Sequence, residues 1–329
     1  MHGGGMKNKA GYLIPVIMLF VLVSRAPKTS GDVELHTFPQ EVSEDEELHT
    51  LPRETEEASN VSEDGEASVV ISTEAESLEI ETLEQTLPEW GLDYVEKPQK
   101  RSRQEAIAKI EELSVQFSQL SFVVKNEALY PDGLLTSVAN NPEMADYVCG
   151  YPDADGSVTG GFTKEELEQE YPLFLQFDSR WGYYPYGITV MGDSGCGPTC
   201  LSMAVFYLTR DATVTPNVVG QYSMDNGYYV TDVGTAWALL EDYPAIHGLS
   251  STTLSVNEEA MKQKLEEGNV LICSMRPGNF TAGGHFVVVY GVDEDGYKVN
   301  DPKCVYRSKK SWSYEELAGD IKRIWCVGR

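Results

Sequence analysis

A cysteine, a histidine and an aspartate in this sequence each have a local setting suited to catalysis. Cys196 lies between Gly195 and Gly197, and Pro198 follows it. Proline suits the first turn of a helix because it has no N–H to leave unpaired, and the apolar run 201–208 predicts that this helix is buried. The free N–H groups at a helix N-terminus favour a nucleophilic thiolate. Cys196 is therefore a candidate nucleophile, with a small buried hydrophobic residue as the alternative.

The partners that such a thiol needs lie about a hundred residues further on. His285 opens the apolar run HFVVVY, and Asp301 ends the next predicted strand, beyond a turn at 294–296. In an antiparallel pair, the start of one strand lies beside the end of the next. His285 could then take the proton of Cys196 while Asp301 orients the imidazole ring. Taken singly, His285 could instead be a core histidine and Asp301 a turn residue before Pro302.

Two further residues bear on this candidate site. Gln176 could donate a side-chain N–H to the oxyanion that forms on attack, beside the backbone N–H of Cys196. A surface position at the start of an extended segment is its alternative interpretation. His247 is the rival base in the folded part of the chain, but it lies in a loop-like stretch with no strand around it. We therefore favour His285.

The elements that must position these residues are predicted from about residue 161 to 329. Helices are expected over 163–166, the run after Cys196, 216–222, 234–240 and 258–267, and strands over 270–273, 285–290, 297–300 and 322–325. Helices first and hairpin-linked strands afterwards indicate an α+β domain. Its antiparallel sheet would pack on the helix that carries Cys196.

A helical prefix and linker are predicted over 101–160. Apolar residues recur every three or four positions over 102–126, which predicts one helix. Two shorter helical pieces follow at 134–138 and 143–148, and the sequence Asp-Ala-Asp-Gly at 153–156 indicates a loop.

The first thirty residues have the composition of an export signal. Lys7 and Lys9 precede an almost wholly apolar run, 12–23, which is shorter than the about 17–25 residues of a membrane span. Residues 1–30 are thus expected to be a signal peptide or an uncleaved N-terminal membrane anchor. The protein is expected outside the cell or at its surface, touching the membrane only through this segment.

Residues 31–100 form a strongly acidic region. They hold 21 acidic and three basic side chains, within a chain whose formal net charge is −27. A region of such charge and low hydrophobicity cannot offset the entropy lost on ordering, so a disordered stalk is expected. A ligand for calcium or a cell-wall polymer is the alternative. Without a basic stripe, the chain is a poor candidate for binding nucleic acid.

The six cysteines do not suggest a metal site. Cys196 and Cys200 are four residues apart, but no second pair of ligands follows at zinc-finger spacing. We expect no metal and no cofactor. An even number of cysteines in an exported chain permits disulfides, and the sequence leaves their pairing open.

Four stretches carry a resemblance to a known family: LFLQFDSRWGYYPYG, SGCGPTCLSM, ICSMRPGNFTAGGHFVVVYGVDEDGYKVNDP and KSWSYEEL. Over about 165–329 the chain resembles papain-like cysteine peptidases akin to the bacteriocin-processing, double-glycine-leader peptidases. It most resembles the stand-alone "peptidase thirty-nine-like" domains of Gram-positive bacteria. The resemblance implies that Cys196 is the nucleophile, His285 the base, Asp301 the orienting acid and Gln176 the oxyanion donor. Gln176 lies twenty residues before Cys196, further than in the leader peptidases.

Three functions remain open at this point. The first is an exported cysteine peptidase that cleaves peptide or isopeptide bonds through a thioacyl-enzyme. The second is a cell-wall amidase or acyltransferase of the same fold, whose cleft the aromatic residues of 181–186 could line. The third is a non-catalytic surface binding module. The expected partner is a peptide or protein substrate, which could be a cell-wall peptide, and a monomer is expected.

Overall fold

The computed structural model describes residues 91–329, which lie in one compact unit. The predicted signal peptide or anchor and most of the acidic stalk fall in residues 1–90, outside the described residues. Within 91–329, no helix has both the length and the apolar composition needed to cross a membrane.

The prefix folds as short helices rather than around one long helix. Its α-helices are α1 (Arg103–Leu113), α2 (Leu120–Lys125), α3 (Asp132–Asn140) and α4 (Ala145–Gly150). Single 3₁₀ turns lie at Glu127–Leu129, Pro142–Met144 and Tyr151–Asp153. The single helix predicted over 102–126 is wrong, because α1 ends at Leu113 and Ser114 is its C-cap. The hydroxyl of Ser114 donates to the carbonyl of Glu111 at 2.7 Å, a local side-chain bond that competes with helix continuation.

The last ten residues assigned to the stalk are packed against the fold. Val95 is buried, and the backbone N–H groups of Leu92 and Gln99 donate to Glu143 and Asn140 at 3.0 and 2.9 Å. The predicted boundary at residue 100 is therefore corrected to one no later than 91. Composition placed it too late because Val95 becomes buried only through distant partners.

Eight further α-helices and ten strands lie in the described residues after the prefix. The helices are α5 (Lys164–Glu168), α6 (Met191–Ser194), α7 (Cys196–Thr209), α8 (Pro216–Asp225), α9 (Trp237–Asp242), α10 (Glu258–Glu266), α11 (Val305–Lys309) and α12 (Tyr314–Asp320), with a 3₁₀ turn at Tyr243–His247. The strands are β1 (Pro185–Tyr186), β2 (Thr189–Val190), β3 (Tyr229–Val230), β4 (Gly234–Thr235), β5 (Ser250–Leu254), β6 (Val270–Met275), β7 (His285–Asp293), β8 (Gly296–Asn300), β9 (Ser311–Trp312) and β10 (Ile321–Gly328). This confirms the α+β fold class.

The main sheet has six antiparallel strands in the order β5-β10-β6-β7-β8-β9. Every residue of β6 is buried, because both faces of the sheet are covered. Val270 and Ile272 pack in the cluster that contains α7, whereas Leu271 and Cys273 pack in a second cluster that includes residues of α10 and α12. This alternation is the two-residue period of a strand.

The four predicted strands are present, each within a few residues of its expected bounds. The helix expected to begin at Gly234 starts instead at Trp237, because Gly234 and Thr235 form β4 with φ of 91° at Gly234. Helix propensity could not anticipate that pairing with β3. The sequence also did not predict β5, an edge strand with mainly exposed, polar residues.

The prefix shares a hydrophobic core with the residues that follow the linker. Leu175 and Phe177 are buried in one cluster with side chains of α1 to α4. The ring of Tyr147 stacks on that of Tyr183 at 4.5 Å, and its hydroxyl donates to the Gly182 carbonyl at 2.8 Å. The predicted loop at 153–156 includes the end of the last 3₁₀ turn, and residues 154–163 have no regular structure. The prefix is thus packed onto the α+β part.

Candidate active site

Cys196 is the first residue of α7 and is half-buried. No side chain caps this helix start, which leaves backbone N–H groups of its first turn without a side-chain partner. Gly197 is required by close packing, because a Cβ there would lie 2.7 Å from Oγ1 of Thr235. The sequence prediction of a buried helix after Cys196 is confirmed.

His285 and Asp301 are hydrogen-bonded to each other and buried. His285 opens β7, and Asp301 follows the last residue of β8. Nε2 of His285 lies 2.7 Å from Oδ1 of Asp301. Cys196 and His285 are close enough that each shifts the pKa of the other, and the backbone N–H of Phe286 also acts on the pKa of the Cys196 thiol. The structure therefore brings the three residues into one connected group.

The pKa shifts within this group favour a thiolate–imidazolium pair. Burial alone would lower the pKa of His285, but the charge and hydrogen bond of Asp301, together with Cys196, raise it to about 9. Burial would raise the pKa of Cys196, yet the hydrogen bond and charge of His285 and the charge of Lys303 bring it below its ordinary value. A proton held on the imidazole rather than the sulfur leaves a nucleophile and a general acid in contact.

Arg307 holds the other oxygen of the Asp301 carboxylate. Its Nε donates to Oδ2 at 2.6 Å, and both side chains are buried. Oδ1 also accepts from the backbone N–H of Lys303 at 2.8 Å. Burial would raise the pKa of Asp301, but the charges of Arg307 and His285 lower it to about 2. Asp301 is thus an ionised carboxylate with three donors.

Sequence reasoning did not find Arg307. It lies in the stretch KCVYRSKK, whose several basic residues look like a solvated surface. Its distance of six residues from Asp301 matches no strand or hairpin register, since the intervening residues turn and enter α11. The sequence around Arg307 therefore did not predict its contact with Asp301.

Gln176 joins the two halves of the site. Its backbone N–H donates to the carbonyl of Pro302 at 2.7 Å, next to Asp301. Its amide Nε2 donates to the carbonyls of Gly192 and Asp193 at 2.9 and 3.1 Å, shortly before Cys196. Gln176 therefore lies close to the segment just before Cys196, although twenty residues separate the two in sequence. Both amide hydrogens are directed at backbone carbonyls, so the role of Gln176 as oxyanion donor stays a prediction.

The other residues that the sequence suggested for the site have different contacts. Nδ1 of His247 lies 3.9 Å from Oδ2 of Asp211, and its ring packs against Tyr243. Trp181 and Tyr186 are fully buried packing residues rather than residues that line a cleft. All six cysteines are free thiols.

A comparison with protein families agrees with this arrangement. Residues 168–326 match the model of the family described as Peptidase_C39 like. This range contains Cys196, His285, Asp301 and Gln176, and it leaves out the helical prefix. No curated protein matches the chain.

Proposed function

We propose, since residues 168–326 match the model of the peptidase C39-like family, that this chain is an active cysteine peptidase. Its reaction is the hydrolysis of a peptide or isopeptide bond through a thioacyl-enzyme. The observation that carries the proposal is the buried His285–Asp301 hydrogen bond next to Cys196, whose thiol pKa is lowered by the imidazole. Thiol, imidazole and carboxylate in this order are the groups that acyl transfer to sulfur requires.

In the acylation half, Sγ of Cys196 attacks the substrate carbonyl carbon and the carbonyl oxygen becomes an oxyanion. In this proposal the free backbone N–H groups at the start of α7 stabilise that charge. His285 then gives its proton to the departing amine, the C–N bond breaks and a thioester remains on Cys196. The proton exchanged with the sulfur is assigned to Nδ1, because Nε2 is bonded to Asp301.

In the deacylation half, His285 removes a proton from a water molecule that attacks the thioester carbonyl. The C–S bond breaks, and the thiolate and a carboxylic acid product are released. Asp301 remains ionised throughout and stabilises the imidazolium each time it forms. Its pKa of about 2 fits this role, because the carboxylate does not compete for the proton.

A cavity near the start of α7 is a candidate place for part of the substrate chain. It has a volume of about 380 Å³ and is lined by Asp193 and Ser194, but by none of Cys196, His285 and Asp301. It lies between the prefix, the segment 188–194 and the turn between β3 and β4. Ile188 and Val233 are exposed apolar side chains in its wall, with relative exposures of 74% and 38%, and Asp232 adds a carboxylate. An extended peptide or protein segment is the expected ligand.

We also propose that the protein acts outside the cell or at its surface. The support is the basic and apolar character of residues 1–30 and the acidic spacer after them. Fractionation of cells that make the full chain tests this, with the protein expected outside the cytoplasm. Recovery of uncleaved protein in the cytoplasmic fraction would contradict it.

The catalytic proposal is tested with the full chain and a library of unstructured peptides. Wild type is expected to cleave a subset of peptides, and Cys196→Ala to abolish cleavage while keeping the fold. Cys149→Ser is the matched control, because Cys149 is also half-buried but burial raises its pKa to about 11. Cleavage that persists in Cys196→Ala would overturn the assignment of the nucleophile. A wild-type protein that cleaves no peptide or isopeptide substrate would overturn the peptidase activity.

A further inference from the structure

The segment that connects Asp301 to Arg307 is held by the prefix. Nδ2 of Asn141 donates to the carbonyl of Lys303 at 2.5 Å. The carboxylate of Glu143 accepts from the backbone N–H groups of Val305 at 2.8 Å and Tyr306 at 3.0 Å. These contacts join residues about 160 positions apart, and Asn141 and Glu143 lie outside the range that matches the family.

Glu143 supplies what the short helix α11 lacks. A helix of five residues is not stable alone, and its first N–H groups have no partner within the helix. No side chain at Cys304, the N-cap position, accepts from them. A carboxylate at this end makes charge-assisted hydrogen bonds and interacts favourably with the helix dipole. Glu143 thereby fixes where α11 begins.

Helix α11 in turn fixes the charge that orients the imidazole. It carries Arg307, whose Nε bonds Oδ2 of Asp301, and Oδ1 of Asp301 bonds His285. The charged and titratable groups that act on His285 are Asp301 and Cys196, with Arg307 behind the carboxylate and Lys303 acting on the thiol. A shift of α11 would move Arg307 and change the direction of the Asp301 carboxylate.

The prefix also touches the segment that leads into Cys196. Tyr147 donates to the Gly182 carbonyl, which also accepts from the backbone N–H of Gly192 at 2.8 Å. The Tyr147 ring fills the space above the Cα of Gly192. The same small helical unit therefore packs against both the cysteine side and the aspartate side of the site.

We propose that the helical prefix is a structural component of the active site and that Glu143 is its positioning residue, acting through α11 and Arg307 on Asp301. The proposal rests on the proposed role of the Cys196–His285 pair, but not on any particular substrate. Glu143 touches neither the reacting atoms nor the cavity near the start of α7, so its effect is on orientation.

The test compares Glu143→Ala, Glu143→Gln and wild type in the full chain. Glu111→Gln is the matched control, an exposed glutamate of α1 whose side chain forms no hydrogen bond or ion pair with α11. Two readouts are used: kcat and KM on a cleaved peptide, and the pH dependence of iodoacetamide labelling at Cys196. Labelling needs no substrate, so it reports on the pair even if no peptide is cleaved.

Glu143→Ala is expected to lower kcat by about 10²-fold with little change in KM, because small misplacements of catalytic groups cost that much. Its labelling midpoint should move to higher pH, since a poorly oriented imidazolium stabilises the thiolate less. Glu143→Gln keeps one acceptor oxygen and should fall between alanine and wild type. Glu111→Gln should match wild type in both readouts.

Unchanged kcat and an unchanged labelling midpoint in folded Glu143→Ala would overturn the proposal. If the alanine variant does not fold, Glu143→Gln decides, and wild-type values for it in both readouts would overturn the proposal equally. A wild type that shows a low-pH labelling midpoint at Cys196 but cleaves nothing would refute the peptidase function alone.

Discussion

Nε2 of His285 lies 2.7 Å from Oδ1 of Asp301, which leaves Nδ1 as the ring nitrogen available to Cys196. This fixes the direction of proton movement: the imidazole exchanges its proton with the sulfur on one side and is held by a permanent negative charge on the other.

The thiol of Cys196 should react with iodoacetamide at a lower pH than an ordinary cysteine. The hydrogen bond and charge of His285 lower its pKa, whereas burial raises the pKa of Cys149 to about 11. Mass spectrometry of labelled peptides across pH 4–10 gives both profiles from one sample. In His285→Ala the Cys196 profile should move to higher pH, because the imidazolium that stabilises the thiolate is gone.

Turnover should fall on the alkaline side near pH 9, where His285 loses the proton that the leaving amine needs. On the acid side it should fall as the thiolate is protonated. A rate that keeps rising above pH 10 would contradict the ion pair.

Asp301→Asn should destabilise the fold and lower turnover together. It leaves Arg307 as a buried cation without its carboxylate, and loss of one partner of a buried pair costs about 3–5 kcal/mol. Asp301→Asn with Arg307→Met removes the charge as well and should recover part of the free energy of unfolding, but no activity. Chemical denaturation measures both variants.

The stability deficit of Asp301→Asn should also depend on pH. The pKa of Asp301 is lowered from 3.8 to about 2, so its contribution is complete above pH 4 and is lost as the pH falls through 2. The difference from wild type should therefore shrink between pH 4 and pH 2. A deficit that is constant over this range would mean that the carboxylate charge is not its source.

Gln176→Glu should be more damaging than Gln176→Ala, although glutamate is closer in shape. Nε2 of Gln176 donates to the carbonyls of Gly192 and Asp193, and a carboxylate there would place acceptor against acceptor. Gln176→Ala leaves the Gly192 carbonyl without this donor, at a cost of about 1–3 kcal/mol for a buried group left unpaired. The Asp193 carbonyl still accepts from Nζ of Lys303 at 3.3 Å. Thermal unfolding ranks the variants, and equal melting temperatures would contradict the observed amide orientation.

Gly192→Ala should lower stability, because a Cβ there would overlap the Tyr147 ring that belongs to the prefix. Overpacking of this kind costs about 1–3 kcal/mol. Gly161→Ala is the control, since a Cβ at that position meets no atom within 4 Å. If both variants unfold at the same temperature, the prefix does not pack on the segment before Cys196 as described.

The sequence by itself determined the features that depend on short stretches of chain. The start of a buried helix at Cys196 followed from glycines, Pro198 and an apolar run. The strand beginning at His285 followed from the apolar run HFVVVY. Their antiparallel order then predicted that His285 and Asp301 share a sheet edge. Such features depend on residues that are close in sequence. Pairing of two strands in a hairpin relates residues that are further apart, but only those of that hairpin.

Only the tertiary structure decided which groups complete the site. Arg307 is buried against Asp301 because α11 turns it inward, and α11 is held by Glu143, about 160 residues earlier. Gln176 was proposed from sequence as an oxyanion donor, and the structure directs its amide to two backbone carbonyls. Contacts of this kind depend on how separate elements pack, and no local pattern of charge or hydrophobicity encodes them.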